Sequence, residues 1–234
     1  MDSIDEVMMR TEVQHVHVGN VDEEVEQNSQ AQATRRARSQ LEKPTGLGGR
    51  VAGWIMAHRR SNRERNEWAL SLLELQPTDR VLEVGFGPGV AIALMSKVVT
   101  SGHIVGIDHS EVMVQHAKKR NASSIAQGRV ELRLASVSDL AGGYDRYDKC
   151  LMVNAFHYWD NPDDALRRVQ RQMNPGGKIV VAFQPCVQGP TVEDTLKAGH
   201  AIVATVKAAG FSRAHLEIKS MAPDSVACVV GMKE

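Results

Sequence analysis

The sequence predicts an α/β fold, a doubly wound and mostly parallel sheet with helices on both faces, and three observations carry that expectation. The apolar run Val81-Leu82-Glu83-Val84 ends in Gly85-Phe86-Gly87-Pro88-Gly89 and passes straight into helix-like sequence from Val90. A second apolar run, His103-Ile104-Val105-Gly106-Ile107, ends in Asp108, 19 residues beyond Gly89, a gap that fits one short helix and one strand. Strand-like runs then recur at 128–134, 147–153 and 179–183, with a helical pattern opening at Pro162 between the last two.

The first of these segments is a cofactor loop. Glycine is used where the backbone turns sharply and lies against a ligand with no Cβ in the way. The helix opening at Val90 points unpaired N–H groups into the same space. The spacing selects the cofactor: a dinucleotide fingerprint reads G-x-G-x-x-G, whereas here the third glycine comes one residue early and Val90 fills the later position, giving G-x-G-x-G.

With Glu83 ahead of Gly85, Gly87 and Gly89, the segment resembles the E-x-G-x-G-x-G motif of the class I S-adenosylmethionine-dependent methyltransferases. The resemblance implies a Rossmann-like sheet of seven strands whose last strand inserts antiparallel between the fifth and sixth. It implies S-adenosyl-L-methionine as cofactor, leaving as S-adenosyl-L-homocysteine, with its amino-acid end at Glu83, Gly85, Phe86, Gly87 and Gly89. Asp108, at the mouth of the second strand, is placed to accept two charge-assisted hydrogen bonds from vicinal ribose hydroxyls; its other reading is a helix N-cap, a job for which Ser110 competes. His109 and Met113 are then expected near the adenine.

The alternating run Gly128-Arg129-Val130-Glu131-Leu132-Arg133-Leu134 leads into Ala135-Ser136-Val137-Ser138-Asp139. Many members of the resembled family carry an acidic residue, facing the adenine amino group, where this chain has Ser136. Adenine recognition then rests on Ser136 and the Val137 backbone, or Asp139 substitutes from further along. The fourth strand, 147–153, is followed by Asn154-Ala155-Phe156-His157-Tyr158-Trp159, which resembles the family segment lining the cavity where the methyl group leaves sulfur. Asn154 is expected on the cofactor side, and His157, Tyr158 and Trp159 are the candidates for acceptor contact. Pro162 starts a helix with Ala165, Leu166 and Val169 inward, and Asn174-Pro175-Gly176-Gly177-Lys178 turns into the strand at 179–183, matching the family's L-x-P-G-G with Met173 for the leucine.

Composition agrees. A chain of 234 residues, 42% hydrophobic, supports one ordinary domain with an appended segment, and 28 basic against 28 acidic residues gives a net charge of zero, so no bulk attraction to nucleic acid is implied. Cys150, Cys186 and Cys228 are isolated, without a C-x-x-C pair, which fits reduced thiols in a cytoplasmic protein. No apolar run approaches a membrane span, and the acidic start of the chain lacks the features of a signal peptide. No membrane or nucleic-acid partner is therefore expected, and the sequence leaves the oligomeric state open.

Three regions are expected: residues 1–44, polar and disordered or helical only when docked; 45–77, helices over the cofactor site; and 78–234, the cofactor-binding domain. Arg35-Arg36-Ala37-Arg38 reads as a solvated charge run, and His15 and His17 as surface residues. A helix is expected over 62–75, with Trp68, Leu72 and Leu75 on one stripe and Pro77 ending it. Trp54, Met56, Arg63 and Asn66 either face the cavity or, for Trp54 and Met56, fill the core. Beyond residue 183, a helix over 192–209 precedes strand-like runs at 214–218 and 225–230 that read as a hairpin.

Methyl transfer from a sulfonium is an in-line displacement, so the protein has chiefly to align the reacting atoms and keep water out. His157 is the candidate general base for a hydroxyl or protonated amine acceptor, its other reading being a buried structural histidine. Asn154 and Gln184 stand where a metal-assisted enzyme needs carboxylates, so no magnesium or calcium is expected. An amino-methylating nucleic-acid enzyme would follow the fourth strand with Asn or Asp, two prolines and an aromatic, which Asn154-Ala155-Phe156 does not. A small organic molecule is the expected acceptor. Two rival readings are a non-catalytic cofactor-binding subunit and a nicotinamide-dependent oxidoreductase; Val90 and the lack of a Tyr-x-x-x-Lys set disfavour the second.

Overall fold

A computed structural model describes residues 60–140, 146–156, 159–185, 191–221 and 224–234. Trp54, Met56, the arginine run at 35–38, both N-terminal histidines and Cys186 lie outside the described residues. Helix α1 (Arg60–Leu73) leads into β1 (Arg80–Val84), α2 (Val90–Met95), β2 (His103–Asp108), α3 (Glu111–Arg120), α4 (Ala122–Ala126) and β3 (Val130–Leu134). A 3-10 turn at Val137–Asp139 precedes β4 (Tyr147–Val153), α5 (Pro162–Gln172), β5 (Met173–Phe183), α6 (Val192–Ala208), β6 (Ser212–Lys219) and β7 (Val226–Met232).

The seven strands form one sheet in the order β3-β2-β1-β4-β5-β7-β6. Neighbours from β3 through β5 run parallel, while β7 is antiparallel to both β5 and β6. This is the expected sheet, including the inserted last strand. Because the chain winds outward through β2 and β3 and then returns to β4 beside β1, the carboxyl ends of β1 and β4 diverge in connection, which is where doubly wound sheets open a crevice.

The pleat sorts side chains into two cores. Val81, Ile104, Leu151 and Val180 pack on one face with Ala69 and Leu73 of α1, Ile92 and Met95 of α2 and Ala117 of α3. Leu82, Val105, Cys150, Met152 and Val181 pack on the other with Leu166 and Val169 of α5 and Ile202 and Val206 of α6. Adjacent strand residues thus serve opposite layers, and the strands read as continuous apolar runs because both faces are covered.

Several boundaries differ from the sequence expectation for local reasons. Helix α1 starts at Arg60 and stops at Leu73, where Glu74 turns left-handed (φ 54°) ahead of Pro77. Its fully buried positions are Ala69 and Leu73, while Trp68, Leu72 and Leu75 are only half-buried against the same core. The turn at 174–177 lies inside β5 as a bulge, with Met173 pairing Tyr147 and Lys178 pairing Lys149. There Gly176 N–H donates to the Lys233 carbonyl (2.7 Å) and Lys233 N–H to the Gly177 carbonyl (2.8 Å), so the C-terminal segment closes the bulge. Helix α5 opens as read, with Pro162 at its first position and Asn161 capping Asp164 N–H (3.1 Å). Cys150 and Cys228 are buried free thiols, both pushed upward in pKa by burial.

Candidate functional site

The glycine loop is built from β1 outward. Gly85 N–H donates to Ile107 of β2 (2.8 Å), Gly87 N–H to Asp108 Oδ2 (2.8 Å) and Gly89 N–H to the Phe86 carbonyl (3.0 Å). All three glycines have positive φ, at 74°, 51° and 74°, which side-chain-bearing residues adopt only with strain. Their surroundings differ. A Cβ on Gly85 would stand 2.6 Å from Ala155 Cβ, and one on Gly89 would stand 2.7 Å from both Ala117 Cβ and Asn121 Nδ2. A Cβ on Gly87 would meet nothing within 4 Å. Gly85 and Gly89 therefore let protein pack on protein where a side chain would stand, and of the three only Gly87 has open space in that direction. From behind, Arg120 Nε donates to the Pro88 carbonyl (2.9 Å) and Asn121 Nδ2 to the Gly89 carbonyl (3.2 Å).

In front of the loop lies a cavity of about 830 Å³, within the roughly 300–1,000 Å³ usual for small-molecule sites. Of the residues singled out from the sequence, Glu83, Gly85, Phe86, Gly87, Asp108, His109, Met113, Ser136, Val137, Asn154 and Trp159 line it. Gly89, against Ala117 and Asn121, is not in that lining. His157 and Tyr158 lie outside the described residues, flanked by Phe156 and Trp159, whose rings tilt against each other at 5.9 Å. Phe86 reaches the wall mostly as core: it is 3% exposed, and its ring covers Gly106 so closely that a Cβ there would stand 2.7 Å from it.

Glu83 and Asp108 are the buried acids of the site, at 2% and 6% exposure. Burial, and then the neighbouring Asp108 charge, pushes the Glu83 carboxyl well above the usual carboxylate range, against a hydrogen bond from Ile92 N–H at the start of α2. Its Oε2 is buried without a hydrogen-bond partner. Asp108 is also raised by burial, with the Ser110 and Gly87 N–H groups and then His109 acting in the opposite direction. Its Oδ1 accepts from Ser110 N–H (2.8 Å) and its Oδ2 from Gly87 N–H. Ser110, fully buried, caps α3, so the two readings of Asp108 resolve: the cap belongs to Ser110, and Asp108 staples the loop to β2 while facing the cavity.

Around the adjoining wall, Ser136 caps the 3-10 turn, and Asp139 Oδ2 accepts Ser136 N–H in return (2.7 Å). Asp139 borders a separate crevice with Glu111 and Leu134 and is not at the main cavity. His109 lines both spaces, and its Nε2 is buried without a partner. Helix α5 adds Asp164 and Arg168, which form an ion pair at 2.8 Å that holds the Asp164 carboxyl below its usual range.

Helix α1 supplies residues that the sequence reading missed. Asn62 and Arg65 line the cavity beside Asn66, which was expected there, whereas Arg63, also singled out beforehand, points outward and pairs with Glu67 at 2.8 Å. The signal was the spacing 62, 66, 69, 73: the stripe that buries Ala69 and Leu73 carries Asn62 and Asn66 inward with it. Arg65 donates to Gln184 Oε1 and to Asn62 Oδ1, the latter at 2.6 Å. Gln184, just past the end of β5, donates its backbone N–H to Oδ1 of the left-handed Asn154 (φ 52°) at 2.8 Å.

Residues 81–177 match the methyltransferase domain family. A protein of Bacillus subtilis (strain 168) described as the uncharacterized methyltransferase YdaC is 32% identical over 183 residues, spanning 78% of this chain and 98% of that protein. In fold, the chain is similar to phosphoethanolamine N-methyltransferase 2 of Haemonchus contortus, solved with phosphomonomethylethanolamine and S-adenosylhomocysteine (TM-score 0.63, 13% identity, 79% of this chain and 57% of that one). It is also similar to a SAM-dependent methyltransferase from Aquifex aeolicus (TM-score 0.58, 19% identity, 85% and 98%).

Proposed function

The chain belongs to the class I S-adenosylmethionine-dependent methyltransferases, and from that premise we propose that it methylates an O, N or C nucleophile of a small organic acceptor, with the cofactor seated on Glu83, Gly87 and Asp108. The orphaned Glu83 Oε2 carries the proposal. A buried carboxylate oxygen without a partner is costly, and a ligand ammonium at the cavity wall would satisfy it. Gly87 lines the same cavity, and its missing Cβ leaves room there that no protein atom fills within 4 Å.

Each carboxylate oxygen of Asp108 has lone pairs beyond the one backbone N–H it accepts, so two ribose hydroxyls can donate to it without displacing the loop staple. Ser136, Val137 and the partnerless Nε2 of His109 offer polar contacts for a purine edge, with Met113 as an apolar neighbour, while Asp139 is engaged in the turn. The cofactor supplies an electrophilic methyl group; the protein orients it, excludes water and, through His157, takes a proton from an acceptor that carries one. Trp159, which lines the cavity, and its sequence neighbour Tyr158 are the proposed aromatic contacts for the acceptor.

The test is calorimetry with S-adenosylhomocysteine, followed by an assay for its release from S-adenosylmethionine across a panel of small acceptors. Binding with turnover supports the reading. Binding without turnover on any acceptor makes the protein a non-catalytic subunit, and no binding removes the proposal.

A further inference from the structure

We propose that Arg120 and Asn121, at the carboxyl end of α3, are positioning residues for cofactor binding, which act from outside the cavity by holding the Pro88-Gly89 half of the glycine loop in the shape the cofactor meets; this rests on the methyltransferase reading above.

The loop is gripped from two sides. Toward β2, Gly87 N–H is held by Asp108 Oδ2 (2.8 Å). Toward α3, Arg120 Nε donates to the Pro88 carbonyl (2.9 Å) and Asn121 Nδ2 to the Gly89 carbonyl (3.2 Å). Three consecutive loop residues thus each have a backbone group fixed by a side chain from elsewhere in the fold. The grips form one closed circuit: Asp108 also accepts Ser110 N–H (2.8 Å), Ser110 caps the start of α3, and the end of the same helix returns to Pro88 and Gly89. Neither Arg120 nor Asn121 lines the cavity, so any effect they have on the cofactor passes through the loop.

The Asn121 amide shows what this arrangement costs. Its Nδ2 serves two carbonyls, those of Gly89 and Ala117 (2.9 Å), while its Oδ1 is buried without a hydrogen-bond partner. A buried acceptor left unpaired is destabilising, so the amide is turned to suit the loop at the expense of its own oxygen. It also stands so close that a Cβ on Gly89 would lie 2.7 Å from Nδ2. The loop needs such support because glycine fixes least of its own conformation, and three glycines stand between positions 85 and 89. A loop already shaped in the free protein spares the cofactor the cost of ordering it. The Gly89 carbonyl is bonded by Ala93 N–H as well (3.2 Å), so loss of Arg120 should loosen the loop more than loss of the Asn121 amide.

The experiment measures S-adenosylhomocysteine affinity by calorimetry, and amide hydrogen exchange at Gly87 in the cofactor-free full chain, for the wild type, Arg120→Met, Arg120→Lys and Asn121→Ala. S-adenosylhomocysteine is a zwitterion without net charge, so removing the exposed Arg120 charge does little by itself. Arg120→Met should bind about 5-fold more weakly, the scale of one hydrogen bond, with faster Gly87 exchange and a melting temperature close to wild type. Arg120→Lys, whose ammonium can donate to the same carbonyl, should recover part of the affinity, and Asn121→Ala should bind about 2- to 3-fold more weakly. Thermal melts set a temperature at which every variant is folded. Arg120→Met binding within about 2-fold of wild type, Arg120→Lys binding no better than Arg120→Met, or unchanged Gly87 exchange would each overturn the proposal. Lowered melting temperatures with unaltered affinity would do the same, leaving both residues purely structural. Wild-type protein that fails to bind S-adenosylhomocysteine would instead count against the functional reading, and Gly87 exchange would then decide by itself whether α3 holds the loop.

Discussion

Replacing Asp108 with alanine tests the cofactor assignment and exposes a second role for the residue. In the free protein its two oxygens accept Ser110 N–H and Gly87 N–H, both at 2.8 Å. Ser110 is fully buried, so alanine leaves its N–H without a partner, a loss of about 1–3 kcal/mol in stability. The variant should therefore unfold at lower urea than the wild type. Binding should suffer separately: two hydrogen bonds from ribose hydroxyls to a charged group are worth about 1.5–3 kcal/mol, or roughly 10- to 150-fold in Kd. Calorimetry with S-adenosylhomocysteine, at a temperature where both proteins are folded, reads that factor directly. Asp108→Asn separates the two roles, because one amide oxygen still serves one N–H while the NH₂ group opposes the other. An alanine variant that loses stability but binds within about 3-fold of wild type would refute the ribose assignment and leave Asp108 as a loop staple.

Further outcomes follow from the same geometry. Gly87→Val should abolish cofactor binding, since its side chain enters the open space, while Gly89→Ala should cost about 1–3 kcal/mol of stability through overpacking against Ala117 and Asn121; paired calorimetry and denaturation would refute this if the two variants exchanged effects. Because the Glu83 carboxyl is raised by burial and by Asp108, the free protein takes up a proton on folding, and its stability should fall as pH rises from the ordinary value of 4.5 through the raised one. An ammonium beside Glu83 favours the ionised form, so cofactor binding should release protons and tighten with pH, which calorimetry in buffers of different ionisation enthalpy measures; binding without proton release would contradict the contact. His157→Ala should lower turnover by about 100-fold, remove the acid limb of the pH-rate profile and leave cofactor affinity unchanged, whereas equal turnover would reduce His157 to packing.

Local signals were enough for the elements whose chemistry is local. Pro162 after Asn161 opens α5 where expected, because both residues act on the helix start itself. The glycines at 85, 87 and 89 announce a loop that only positive φ can close, and all three adopt it. Missed features depend on partners distant in sequence. Gly89 was read as facing the cofactor, yet Ala117 and Asn121 decide its role, and neither is visible from a G-x-G-x-G pattern. Arg63 and Arg65 are alike as sequence; which one turns inward is set by how Ala69 and Leu73 dock α1 on the sheet.

The sequence by itself determined the order of strands and helices, the cofactor loop and the acid at the end of β2, since periodicity, glycine and chain spacing encode them within some thirty residues. It also carried the family resemblance, which supplied the inserted antiparallel strand. What only the tertiary structure decided is the division of labour inside the site: that Ser110 and not Asp108 caps α3, that Asp139 is engaged in a turn, that Glu83 keeps an oxygen in reserve, and that Gln184, just past the end of β5, accepts from Arg65. Each of these is a competition for hydrogen bonds or for desolvated space among groups brought together by the sheet. Its outcome depends on which partner arrives within about 3 Å, which one-dimensional spacing does not specify.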